Sequence, residues 1–181
     1  MKLDKLLSQK KSTILSRWLD SILETYPSYT KRFLKKQSDQ FANPVGQTLS
    51  KELEKLYQEL LSGRDIDPDR VSPVLDRIVR IRAIQEFSPS QAVGGLFSLK
   101  KVVREELRKE ILKHGLSDGL HAFESRIDAL MLIAFDVYMV CREKIYEISA
   151  NQIKNHVSGL LRRADLVCEI PEWDPNQREE I

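Results

Sequence analysis

From Leu120 to Cys141, apolar residues recur in alternating steps of three and four: Leu120, Phe123, Ile127, Leu130, Ala134, Val137 and Cys141. Only a helix brings such positions onto one face, because a strand repeats every second residue. The run has the spacing of a coiled-coil or bundle seam. A looser continuation through Ile145, Ile148, Val157, Leu160 and Leu161 predicts one long C-terminal helix that ends before Pro171. Over residues 127–140 the opposite face is apolar too, with Leu132, Ile133, Phe135 and Met139. That all-round pattern predicts the most buried helix of the fold, and Asp136 within it should meet an Arg, a Lys or backbone donors.

Helical spacing also governs the rest of the chain. Leu3, Leu7, Ile14, Trp18, Ile22 and Tyr26 form a first stripe that Pro27 ends, and a short basic segment over 29–36 is expected to make a turn or two of helix. Asn43-Pro44 reads as a cap followed by a first helical position, with Leu49, Leu53, Leu56 and Leu60 behind it and Gly63 as the stop. A further helix starts at Asp67-Pro68 or Ser72-Pro73. Ser88-Pro89 then opens another, which Gly115 terminates before Ser117 starts the last. No stretch alternates as a strand does. The expected fold is one all-α domain over residues 1–166, a bundle of about six helices, followed by an acidic tail over 167–181.

Charge excludes some functions and leaves others open. The 181 residues carry a formal net charge of +2, too balanced to argue for a nucleic-acid partner. The ends are unequal: residues 1–40 hold nine Lys or Arg against four Asp or Glu, while 165–181 hold six acids against Arg178. Either these are two solvated ends of opposite sign or the tail meets a basic surface. The N-terminus lacks a secretory h-region, and Cys141 and Cys168 form no C-x-x-C pair, so a cytoplasmic protein with reduced thiols is expected. The most apolar run is too short for a membrane span, so no membrane insertion is expected.

No nucleophile elbow, P-loop or dinucleotide fingerprint is present. His114, His121 and His156 lack the spacing of a zinc site. His121 is the best placed haem ligand, against the plainer reading of a histidine at a helix surface, and the expected cofactor is none. The polar residues beside apolar stripes are more informative. Arg82, Gln85, Ser88 and Gln91 surround the break between two helices, and Asp136 and Arg142 lie in the last helix. Two readings stand: a polar pocket at that corner, or an internal ion pair of Asp136 with Arg82 or Arg142 that fixes helix register. Gly94-Gly95, inside the helix after the break, is expected to let a neighbouring helix approach closely.

Three stretches carry a family resemblance: "FANPVGQTLSKELEKLYQELLSG", "RIVRIRAIQEFSPSQAVGGLFSLKKVVREEL" and "FDVYMVCREKIYEI". Together they resemble the RsbRD N-terminal domain family, over roughly residues 5–160, most specifically in the Arg82 to Ala92 run and then in Phe135 to Arg142. The resemblance implies a bacterial, all-helical input or sensor module. It implies a globin-like arrangement without haem that pairs as a homodimer, and it brings no catalytic residues. Such modules usually precede a STAS output domain, and the roughly twenty residues after 160 are too few to build one. Domains of this kind also accompany membrane redox complexes in anaerobic, sulfate-respiring bacteria.

The expected function is therefore non-enzymatic signalling or regulation through dimerisation and protein contact. The expected dimer seam runs through Val137, Cys141, Ile145 and Ile148. The partner class is a signalling kinase, a STAS protein or a redox-complex subunit. The alternatives are a ligand- or haem-binding helical sensor and an accessory or assembly protein of a membrane redox complex.

Overall fold

Proline, glycine and short polar caps set the helix boundaries. The computed structural model describes residues 2–36, 43–85 and 87–163. Asn43 accepts a hydrogen bond from the Gly46 amide at 2.9 Å and starts helix α4, Pro44–Leu61. Asp67 caps α5, Pro68–Ile84, so the helix begins at the first of the two expected sites and carries Pro73 in its interior. Ser88 and Gln91 form a reciprocal capping box at the start of α6, Pro89–Glu106, each satisfying a backbone amide that the first turn leaves free. Gly115, at φ +59°, closes α7, Arg108–His114, in the left-handed conformation that glycine tolerates best.

The remaining elements are α1 (Leu3–Gln9), α2 (Lys11–Leu23), α3 (Ser28–Lys36) and α8 (Ser117–Arg163). All eight elements among the described residues are α-helices, as the periodicity demands. The number exceeds the expected six or so because two stripes are broken. Lys10, at φ −100° and ψ 14°, separates α1 from α2, and Leu107, at φ −107° and ψ 10°, separates α6 from α7. Apolar spacing carries across both breaks and hides them from the sequence.

The chain divides into two compact units, Met1–Glu143 and Lys144–Ile181. In the first, α2 packs on α6 and α4, and α5 packs on α4 and α6. Trp18, Leu49, Leu75, Leu99 and Phe123 are fully enclosed in its core. Gly95 is where α2 and α6 meet: a methyl group there would lie 3.0 Å from Ile22 Cγ1, and Trp18 Nε1 donates to the Gly95 carbonyl at 3.2 Å. The close approach expected of the glycine pair thus rests on Gly95, since Gly94 has open space in place of its missing methyl. Ion pairs link the same layers at the surface, Lys10 with Glu106 and Arg17 with Glu105 and Glu106. The described part of the second unit is the α8 stretch over 144–163, and the expected tail, with Cys168, lies outside the described residues.

Candidate functional site

Arg82 sits in the last turn of α5 and is 1 % exposed. Its guanidinium carbon lies 4.3 Å from the ring centre of Phe87 and 5.3 Å from that of Tyr26, and the two rings meet edge to face. Nη2 donates to Thr25 Oγ1 at 2.8 Å and to the Gln91 carbonyl at 2.7 Å. Nε and Nη1 have no hydrogen-bond partner among the described residues. A buried cation with no carboxylate partner among the described residues is held here by aromatic faces, each worth about 2 kcal/mol when desolvated. Burial pushes the guanidinium pKa below its usual value, and burial raises that of the Tyr26 phenol against the opposing pull of Arg82.

The other residues of the corner fall in different environments. Gln85 and Gln91 are exposed; Gln85 accepts from the Tyr26 hydroxyl at 2.9 Å, and Gln91 is spent on the capping box with Ser88. Among the described residues, the rings of Tyr26 and Phe87 flank the Arg82 guanidinium. The expected internal ion pair of Asp136 with Arg82 or Arg142 is absent among the described residues. Asp136 is exposed and makes no ion pair among the described residues, while Arg142 Nη1 donates to the Ala83 carbonyl at 3.3 Å. Asp136 lies two residues from both Ala134 and Tyr138, which face inward, and two residues turn a helix by about 200°.

Tyr138, Tyr26, Phe87 and Thr25 are the corner residues that apolar counting missed. The Tyr138 hydroxyl donates to the Phe87 carbonyl at 2.7 Å, so α8 grips the break directly. Helical spacing had marked Tyr26 only as core, and nothing in a one-dimensional pattern links Thr25 to Arg82, 57 positions on.

The second feature is the outer side of α8. Phe123, Ile127, Leu130, Ala134, Tyr138 and Cys141 are buried, but Leu132 is 72 % and Val140 65 % exposed, with Phe135 and Met139 exposed beside them. The expectation that residues 127–140 form the most buried helix is therefore wrong for one face: neighbouring helices cover only the inner seam. Phe97, Gly94, Met131, Leu132 and Phe135 line a groove of about 610 Å³ between α6 and α8. In the second unit Tyr146, Ile153 and Leu160 are exposed. Leu132, Met139, Tyr146, Ile153 and Leu160 are each seven residues apart, one position of a heptad.

The residues of the expected dimer seam do not share one environment. Cys141 faces inward, 3.4 Å from Asp76 Oδ1, and burial first and then that carboxylate push its thiol up to about 11. Val137 and Ile145 are half-buried, and Ile148 is exposed. His121 is exposed on α8. Among the described residues no three metal-ligating side chains converge, and no helix is long and apolar enough to cross a membrane.

Residues 12–153 match the model of the RsbT co-antagonist protein rsbRD N-terminal domain. The chain belongs to that family. The matched span of RsbRD N-terminal sequence runs from α2 into α8 and contains both the Arg82 corner and four of the five heptad positions. The family is a regulatory, signalling one. An uncharacterized protein of Archaeoglobus fulgidus is 25 % identical over 142 residues, 75 % of this chain and 79 % of its own length. No solved structure matches the chain.

Proposed function

We propose that this RsbRD N-terminal domain is a non-enzymatic cytoplasmic regulator that works by pairing with a second copy and presenting the pair to a protein partner. The observation that carries this reading is the exposed heptad position of α8. Five apolar side chains spaced by seven, Leu132, Met139, Tyr146, Ile153 and Leu160, are left in solvent by the single chain. Sustained seven-residue spacing is how a helix presents a seam to another helix. The seam proposed here shares no residue with the expected one through Val137, Cys141, Ile145 and Ile148, of which the first unit buries Cys141.

Sedimentation equilibrium tests the pairing. A dimer at micromolar concentration is expected, weakened at least about tenfold by Met139→Asp and by Ile153→Asp, since a charge forced into an apolar seam costs on the order of the amount that leaves it unpaired. A strict monomer, or association unchanged in both variants, would sink the proposal.

A further inference from the structure

We propose that the outer face of α3 is a peripheral contact for an anionic phospholipid surface, a function separate from the α8 seam. Helix α3 is fastened to the fold by one side: Leu34 is buried, and its carbonyl accepts from Asn43 Nδ2 at 2.6 Å. The other side carries Tyr29, 85 % exposed, and Phe33, 44 % exposed, one turn apart, with Arg32 exposed between them. Tyr29, Arg32 and Phe33 follow the three-and-four spacing that puts them on one helix face. The nine residues Ser28–Lys36 hold four basic side chains, Lys31, Arg32, Lys35 and Lys36, and no acid.

Charge decides what would cover this face. Lys10 and Arg17 pair with α6 and Lys11 with Glu54, while Lys2 and Lys5, like Arg32, make no ion pair among the described residues. Within α3, Lys31 meets Glu24. An exposed cation with no ion pair among the described residues, set between two exposed aromatic rings, suits the boundary of an anionic bilayer, where rings sit at headgroup depth and cations meet phosphates. Size excludes the main competitor. A nine-residue helix is only about 14 Å long, and a stable protein interface needs about 800 Å² from each partner. Peripheral lipid binding instead accumulates from a few rings and charges.

Cosedimentation of the full chain with vesicles decides the matter. Vesicles of equal parts phosphatidylglycerol and phosphatidylcholine are expected to bind at least about tenfold more protein than phosphatidylcholine alone, and about 1 M salt should abolish the difference. Tyr29→Ser with Phe33→Ser, and separately Arg32→Glu, should each remove most of the binding. Both sites are exposed, so an unchanged melting temperature confirms folding. No binding to the anionic vesicles, or equal binding by the variants, overturns the proposal. Tighter binding to soluble polyglutamate than to the anionic vesicles at matched charge, lost in Tyr29→Ser with Phe33→Ser, would also overturn it, by assigning the face to an acidic protein.

Discussion

The two faces of α8 within the first unit have similar apolar content and opposite fates. On one, Phe123, Ile127, Leu130 and Ala134 are sealed against the bundle; on the other, Leu132, Phe135, Met139 and Val140 stand in solvent. A helix that is apolar all round is normally a central one. Here it is one whose second face stands exposed among the described residues. Apolar character alone therefore does not report which face the fold buries. The polar residues tell the same story. On the inner face Glu124 is buried and takes a bidentate grip from Arg104, at 2.5 and 2.7 Å, whereas Asp136 on the outer face stands exposed.

The contrast can be broken most decisively by truncation. Phe123→Ala should lower unfolding stability by about 3–5 kcal/mol, the range for a buried aromatic that leaves a cavity. Leu132→Ala should stay within about 0.5 kcal/mol at concentrations where the protein is monomeric, as surface changes do. Urea denaturation of the two variants measures both, and equal losses would mean that the outer face is packed in solution. A smaller effect is expected where the inner face meets the corner. Arg82→Ala should cost about 2–4 kcal/mol through lost ring contacts and side-chain volume, and Arg82→Lys should recover only part of it because an ammonium cannot stack between Tyr26 and Phe87 as a planar guanidinium does. Full rescue by lysine would show that charge alone matters there.

The smallest effect separates the faces by pH. The hydrogen-bonded Arg104 guanidinium holds the Glu124 carboxyl below its usual range against the cost of burial. A depressed folded pKa gives stability that is complete above the unfolded value, about 4.3, and lost as pH falls through the folded one. Glu106, held down by Arg17 and Lys10, acts in the same window and direction. Melting temperature should therefore drop as pH falls below about 4.3, and less steeply in Glu124→Gln. An unchanged slope in Glu124→Gln would show that the pair with Arg104 contributes nothing in this window.

Much of the fold was legible because its signals are local. Asn43-Pro44, Asp67-Pro68 and Ser88-Pro89 start helices for reasons contained within four residues, and Gly115 stops one by its own backbone freedom. The breaks at Lys10 and Leu107 were not legible, since neither residue is a helix breaker and both flanking stripes stay in step. At the candidate site, the Ser88–Gln91 box was readable and the Arg82 cage was not. The heptad from Leu132 to Leu160 was present in the sequence, but the stronger inner spacing from Leu120 to Cys141 overlapped it and drew the seam onto Cys141.

The sequence by itself determined that this protein is all helix, where most of its helices begin and end, and that its last helix has apolar residues on more than one face. Those properties follow from backbone geometry and side-chain period, which act over a few residues. Only the tertiary structure decided which face of that helix is filled, that Arg82 is enclosed by Tyr26 and Phe87, and that Asp136 needs no partner. These depend on which side chains from distant segments reach the same place first, and burial is a property of that competition rather than of any one stretch of chain.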